Sequence, residues 1–418
     1  MSVLDGFQAL GAETWLAVGN KQTDHPRVVM LPLPADLDAG CEAAALSRTA
    51  LRGRRSLERR LGLEDFNFPS TRRLLSLTGS PPDVVLLHNL HGGFFDLRQL
   101  GALSRQVPVV LALADSWLFT GHCACPLGCD RWQRGCGACP DLAIPPAVSR
   151  DATALNWRRK RRILADARFV VVTPSRWLLE RARRSILAPA VVDAHVIAHG
   201  VDLDVFSPGP AAPGRRRLGI DDSAPLLLYV ATDGAANAYK DFATIRAAVA
   251  RLARETPGSP LELVVVGGAA DDEVLGEGVR VRHLTRLDSR RDLAELYRAA
   301  DLYVHAAREE SFGLTAAEAL ACGIPVVAAV GGGLPEVVEH GRTGLIVAPG
   351  DEVGLAAALR RVLGDRAERT RMGRAAADAA RTRFGERRML ADLHACCVQA
   401  AAGGPVARGA YAAAGAKP

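Results

Sequence analysis

The sequence predicts an α/β fold built as two Rossmann-like domains. Three observations carry this. Short apolar runs bounded by Gly, Pro, Asp or Ser recur along the 418 residues and alternate with helical patterns, the mark of parallel βαβ units. The length and the 49% hydrophobic content allow two ordinary α/β cores. A Pro- and Gly-rich stretch, residues 204–214, falls near the middle and reads as a boundary.

The chain opens without the strand, glycine turn and helix that begin such a domain. Ser2 to Val18 reads as the end of a helix followed by a strand. The expectation is that about one βα unit is missing upstream, or that the first domain is truly shortened. Ala43 to Leu61 is strongly basic and helical in pattern. It reads first as a solvated face, with contact to anionic lipid headgroups as the alternative. Asp83 to Gly93 is a buried strand ending in a polar loop with His88, Asn89 and His91, and Phe95 to Leu103 is a helix. Histidines and glycines at the carboxyl edge of a parallel strand stand where ligands bind. Pro108 to Leu113 is the next strand, running into Ala114, Asp115, Ser116 and Trp117, with Thr120, Gly121 and His122 beyond.

Within residues 121–140 five cysteines follow closely, and Cys123, Cys129, Cys136 and Cys139 have spacing suited to a structural zinc, with Cys125 spare. Four thiolates would leave no open coordination position, so the site would clip a loop. Free thiols packed in the loop are the competing reading. Trp157 to Ala165 is a basic helix, Phe169 to Thr173 a strand, and Ser175 a good cap for the next helix. Val196 to Asp202 is the strand that leaves the first domain.

The second domain opens with the strand Leu226 to Ala231. A polar loop with Asn237 and Lys240 leads into the helix Phe242 to Leu252. Glu262 to Gly268 and Val279 to Leu284 are strands, and Leu293 to Ala299 is a helix. Leu302 to His305 is a strand, Glu309 and Glu310 lie in a loop, and a helix follows Ser311-Phe312-Gly313 with Glu318 inside it. Ile324 to Val327 is a strand, Gly331 to Gly333 a loop, and Leu334 to Glu339 a helix. Helix N-termini after glycines suit phosphate groups, and carboxylates beside them suit sugar hydroxyls. Helical patterns then cover 353–363, 367–384 and 386–400. The boundaries are 1–200, a linker 201–214, 215–385, a terminal helix 386–402 that returns to the first domain, and a disordered tail 403–418.

The motif E-x7-E with Phe312-Gly313 after the first Glu, then Gly323-x-Pro325-Val326-Val327, Gly332-Gly333-x-Pro335-Glu336 and Gly341-x-x-Gly344-Leu345, resembles the retaining group 1 (family 4) glycosyltransferases. Their fold is the two-domain GT-B type, with the domains facing a cleft. His88-Asn89-Leu90-His91-Gly92-Gly93 resembles the exopolysaccharide (colanic-acid-like) subgroup. The resemblance implies a nucleotide-diphosphate sugar donor, a polysaccharide or lipid-linked oligosaccharide acceptor, retention of configuration and no catalytic metal.

It implies donor contacts at Lys240, Asn237, Gly268, Leu287, Ser311, Phe312, Gly313, Leu314, Glu318, Gly332 and Gly333. It implies catalytic roles for Glu310, His88, Asp115 and His122. Two positions depart from the family pattern: Ala114 stands where a His is usual, and Gly234 where an Arg is usual. A sugar-nucleotide epimerase of the same fold and a catalytically impaired binding or scaffold protein therefore remain as alternatives.

The formal net charge of +6 and pI near 9.0 fit an anionic ligand or the inner face of an anionic membrane. No nucleic-acid motif accompanies the charge. No apolar run of 18 residues and no signal peptide is present, so the expectation is a cytoplasmic, at most peripheral, protein.

Overall fold

The computed structural model describes residues 3–31, 50, 53–221, 223–237 and 239–403. Residues 43–49 and 51–52 of the basic stretch and 404–418 of the tail lie outside the described residues. The chain divides into two compact units, residues 1–197 with 390–418, and residues 198–389.

In the first unit α1 (Val3–Ala9) leads to β1 (Leu16–Val18), which pairs in parallel with β2 (Val28–Met30) in a small separate sheet. The main sheet is parallel and runs β3 (Val85–His88), β4 (Val109–Ala112), β5 (Phe169–Thr173), β6 (Val191–Val196) in order. Its helices are α2 (Leu100–Gln106), α3 (Thr153–Ala165) and α4 (Arg176–Arg183). The helix expected over 95–103 starts instead as a 3-10 turn, Leu97–Gln99, whose first amide is held by the Asp96 carboxylate. The strand expected over 196–202 ends at Val196, and only Val201 forms an isolated bridge, to Gly385.

The second unit starts with α5 (Ala212–Leu218), β7 (Leu226–Val230) and α6 (Phe242–Glu255). Then come β8 (Leu261–Val266), β9 (Glu273–Val274), β10 (Val279–Leu284), α7 (Arg290–Ala299) and β11 (Leu302–Glu310). The unit continues with α8 (Leu314–Ala321), β12 (Val326–Gly332), β13 (Gly344–Val347), α9 (Glu352–Gly364) and α10 (Arg366–Arg383). The sheet order is β13-β12-β11-β7-β8-β10-β9, parallel apart from the β9–β10 pair. Strands such as β7 and β8 are buried along their whole length, which requires the continuous apolar runs Leu-Leu-Leu-Tyr-Val and Leu-Glu-Leu-Val-Val-Val. The one carboxylate there, Glu262, is paired with Arg282 at 2.9 Å.

Residues 201–214 are not a loose linker. Val201 and Phe206 are buried in the core of the second unit, and Arg298 donates to the carbonyls of Val205 (2.6 Å) and Ser207 (2.7 Å). The last helix, α11 (Glu386–Gly403), begins in the second unit and belongs to the first from Leu390 onward. There the Phe7 ring packs edge-on to His394, 5.3 Å between centroids. Among the described residues, no helix is long and apolar enough to cross a membrane.

Candidate functional site

In an open parallel sheet, ligands gather outside the carboxyl ends of the strands where the chain order reverses. In the second unit the chain runs outward from β7 through β8 to β10, then returns to place β11 on the other side of β7. The switch point therefore lies between the carboxyl ends of β7 and β11. The loop after β7 and the end of β11 meet there.

Lys240, from the first of these, forms an ion pair with Glu310, from the second. Glu309 and Glu310 are not in a loop, as the sequence pattern suggested, but end β11 itself. The pairing of β11 with β12 shifts register between Ala307 and Glu310, which carries Glu310 opposite Gly332. Burial raises the Glu310 carboxyl, but the Lys240 ammonium and the His305 ring outweigh it and hold the group well below the ordinary carboxylate range. His305, fully buried with Nε2 3.4 Å from Glu310 Oε2, is pushed down by burial and by Lys240.

The loop that presents Lys240 is shaped by Asn237. Its side-chain amide donates to Thr232 O (2.7 Å), and its Oδ1 accepts from the amides of Tyr239 (2.9 Å) and Lys240 (3.2 Å). Asn237 is thus an Asx turn under the lysine. Gly234 has φ +53°, and a Cβ there would stand 2.8 Å from the Gly268 amide. The backbone itself leaves no place for the arginine usual in the family. Gly268 is held by the same approach, 2.5 Å from Asp233 O to its own added Cβ.

Beside Glu310, Gly313 takes φ +93° and caps α8. The Ala316 and Ala317 amides both donate to Gly313 O at 3.0 Å, and the amides of Leu314 and Thr315 at the start of α8 have no acceptor within the helix. Leu314 stands exposed at this turn. Phe312, expected against the donor, is buried instead between His199 (5.2 Å) and Phe384 (5.7 Å) and anchors the turn from beneath.

The helix expected after Gly331–Gly333 is not formed. Gly331 and Gly332 extend β12, and only a 3-10 turn, Leu334–Glu336, follows. The reason is the close pairing of β12 with the end of β11: a Cβ on Gly332 would come 2.4 Å from Glu310 O, and the Gly333 amide donates to that same oxygen at 2.6 Å. Gly332 and Gly333 therefore lock the end of β11 and leave no helix terminus there. Glu318, within α8, accepts from Tyr297 Oη at 3.0 Å, and burial raises its carboxyl to about 7. Leu287, after β10, packs half-buried against the core.

In the first unit, β3 ends at the exposed His88, in register with Ala112 of β4. The loop beyond turns at Asn89 (φ +43°) and brings His91 Nε2 to 3.0 Å from Asp115 Oδ2. Asp115 Oδ1 accepts from the Trp117 amide at 2.8 Å. The hydrogen bond to Asp115 raises the His91 pKa against the opposing effect of burial. His91 had no assigned role from the sequence, although the loop carrying it was singled out; its pairing with Asp115 depends on a loop conformation that spacing does not reveal. Beneath this pair the fully buried Lys160 of α3 donates to Glu64 Oε1 (2.8 Å) and Trp117 O (2.8 Å), with its ammonium 3.9 Å from the Trp117 ring centre. Glu64 and Lys160 were not singled out either. A lysine inside a basic run carries no sign that it points inward.

His122 does not open onto the carboxyl edge. It is 1% exposed, with Nδ1 3.1 Å from Pro146 O and Nε2 3.4 Å from Cys139 Sγ. Cys123, Cys125, Cys129, Cys136 and Cys139 form no disulfide. Among the described residues, no three His, Cys, Asp or Glu side chains are gathered as a finished metal site. The loop that carries these cysteines turns through left-handed conformations at Cys136, Gly137 and Ala138.

Across 95% of its length the chain superposes on sucrose-phosphate synthase from Thermosynechococcus elongatus, with TM-score 0.63 over 91% of that chain and 22% identity. Anabaena HepE, solved in complex with UDP and glucose, matches with TM-score 0.54 and 18% identity over 78% of this chain and 80% of its own. At these identities the likeness establishes the fold, that of the two-domain GT-B glycosyltransferases. Residues 213–379, the segment that holds Lys240, Glu310 and Glu318, match the family model "Glycosyl transferases group 1". A D-inositol 3-phosphate glycosyltransferase of Geodermatophilus obscurus is 40% identical over 184 residues, 41% of this chain and 40% of that protein. The match thus spans less than half the length of this relative.

Proposed function

We propose that the protein is a glycosyltransferase that moves a sugar from a nucleotide-diphosphate donor, bound in the second unit, to a hydroxyl of a glycan or lipid-linked acceptor, with retention of configuration. One observation carries the reading: Lys240 and Glu310 meet at the switch point of a sheet within the segment that matches the group 1 glycosyltransferase model. HepE, of the same fold, was solved with UDP and glucose, which supports a sugar-nucleotide donor.

The residues fit the parts of such a donor. Lys240 and the first-turn amides of α8 oppose the diphosphate charge, and they do so more strongly as charge builds on the departing phosphate. Glu318, on the same helix, accepts ribose hydroxyls when ionised. Glu310, fixed as a carboxylate by Lys240 and His305, accepts hydroxyls of the transferred sugar. When the diphosphate arrives, Lys240 exchanges part of its bond to Glu310 for phosphate oxygens, which frees Glu310 for the sugar. Same-face attack needs no protein nucleophile, and the acceptor oxygen's proton leaves toward the departing phosphate.

On the acceptor side the role first given to His88, Asp115 and His122 falls to His91 with Asp115, since His122 is enclosed. His88 adds an exposed ring at the same strand edge. The positive charge of the chain, with exposed Arg158 and Arg162 on α3, suits an acceptor carried at an anionic membrane surface.

The test is transfer of a labelled sugar from UDP-, GDP- and ADP-sugars to three acceptor classes: lipid-linked glycan, free oligosaccharide and D-inositol 3-phosphate. Transfer to the last alone would move the acceptor to that of the relatives. Donor binding with no transfer to any acceptor would favour a binding protein, the reading that Ala114 and Gly234 keep open.

A further inference from the structure

Beside the Lys240–Glu310 pair stands a histidine whose own bonding is incomplete. His305 lies on β11, fully buried, in register with Ala328 of β12. Neither ring nitrogen has a hydrogen-bond partner among the described residues. Nε2 stands 3.4 Å from Glu310 Oε2, within reach but not aligned for a hydrogen bond. We infer that His305 is the positioning residue for Glu310 in the donor-bound state: when the diphosphate draws Lys240 away, the His305 Nε2–H closes on the carboxylate and replaces the ammonium. This hand-over rests on the donor reading of the same site.

An unpaired imidazole is an unfavourable occupant of a sheet interior. Its neighbours along the strand, Val304, Ala306 and Ala307, are buried and apolar, and the Tyr303 ring lies 6.1 Å away between centroids. A leucine there would bury no polar atom without a partner. The imidazole gains a partner only in a second state, and the acceptor within reach is the Glu310 carboxylate. A carboxylate accepts and does not donate, so the ring presents Nε2–H to it. Burial and the Lys240 charge keep that ring neutral.

The two neighbours of Glu310 face the same oxygen. Lys240 Nζ pairs with Oε2, and His305 Nε2 points at Oε2 as well, which leaves Oε1 for sugar hydroxyls. They differ in reach. The Lys240 and Glu310 side chains are 19% and 15% exposed, whereas His305 is 0% exposed. A diphosphate arriving from the open side meets Lys240, whose flexible stem lets the ammonium turn toward phosphate oxygens. His305 is fixed by the strand and stays beneath the carboxylate. A carboxylate left so enclosed without a partner is strongly disfavoured. Closing from 3.4 Å to about 2.8 Å gives it a charge-assisted bond after a shift of roughly half an ångström. No proton changes owner, and Glu310 stays a carboxylate. His305 is thus unpaired in the free chain and paired in the loaded one, so removing it acts with opposite sign on the two states.

Melting temperatures are measured on the purified full chain as wild type, H305L, K240A and the double variant. H305L is expected to melt no lower than wild type, because it removes two unpaired nitrogens. The double variant is expected to melt at least about 3 °C below K240A, where Glu310 already relies on His305. A loss from H305L in the wild-type background as large as in K240A overturns the hand-over. Donor affinity is read by calorimetry with UDP-, GDP- and ADP-glucose. H305L should weaken the binding found in wild type at least about tenfold, and H305Q, whose amide still donates, should recover it. Unchanged affinity in H305L overturns the hand-over and leaves the donor reading standing, whereas no binding of any of the three by wild type overturns both. Should H305L fail to fold, NMR of isotopically labelled wild type decides. The His305 Nε2–H signal, assigned by its loss in H305Q, should move downfield on saturation with the bound nucleotide glucose, and an unmoved signal overturns the proposal.

Discussion

Changing pH should tune donor binding through Glu318. Burial raises its carboxyl to about 7, against the lowering influence of the Tyr297 hydroxyl and Arg290. With that value, about nine-tenths of the chains carry the carboxylate at pH 8 and about one-tenth at pH 6. If only the carboxylate accepts the ribose hydroxyls, the dissociation constant rises about tenfold across this range. A nucleotide sugar is the right probe, because its esterified diphosphate does not titrate here. The assay is calorimetric titration at pH 6, 7 and 8, with Glu318→Gln as control.

The same shift affects stability with a definite sign. The folded pKa lies above the unfolded one, so the folded chain binds more protons between about pH 4.5 and 7. Stability therefore falls as pH rises through that window, by up to roughly 3 kcal/mol. Glu318→Gln removes this loss and should melt higher than wild type at pH 8. A wild-type binding profile that is flat, or that Glu318→Gln reproduces, would refute the role of the carboxylate.

Other outcomes follow from the same geometry. Lys240→Ala should weaken nucleotide-sugar binding by about tenfold to a hundredfold, the worth of one charge-assisted contact, read by calorimetry. Glu310→Ala should cut transfer at least a hundredfold while circular dichroism shows an intact fold; normal transfer would remove Glu310 from the site. His91→Ala should lower kcat/KM for transfer and leave donor affinity unchanged, and a change in donor affinity would contradict its place on the acceptor side. Lys160→Met strands the buried Glu64 carboxylate and should cost about 3 to 5 kcal/mol of stability, seen in chemical denaturation.

Much of the second unit was legible because its strands are continuous apolar runs and its glycines sit where backbones cross. Glu310 and Glu318 were found from a motif that spans the turn at Gly313, and Lys240 from the polar loop that leads into α6. The motif could not reveal that Glu310 ends a strand, because Arg308-Glu309-Glu310 looks like a loop until the β11–β12 register shift is known. Nor could it reveal that Gly332 and Gly333 serve the close pairing of β12 with the end of β11. Phe312 read as a ligand contact from the motif, yet its neighbours His199 and Phe384 are far away in sequence. In the first unit the histidines were visible, but the partner of Asp115 depends on a left-handed turn at Asn89. The inward course of Lys160 depends on which face of a basic helix meets Trp117. Pro and Gly in residues 204–214 suggested a linker, but Phe206 and the carbonyls held by Arg298 fasten the segment to the core.

The proposed nucleotide-sugar site lies at the carboxyl ends of β7 and β11. The most direct measurement is the melting temperature of the purified chain, wild type and Lys240→Ala, with UDP-, GDP- and ADP-sugars, since a ligand that binds the native state raises it. A rise is expected with at least one of them in wild type, and a much smaller rise in Lys240→Ala. No rise with any nucleotide sugar, or an equal rise in both chains, would contradict it.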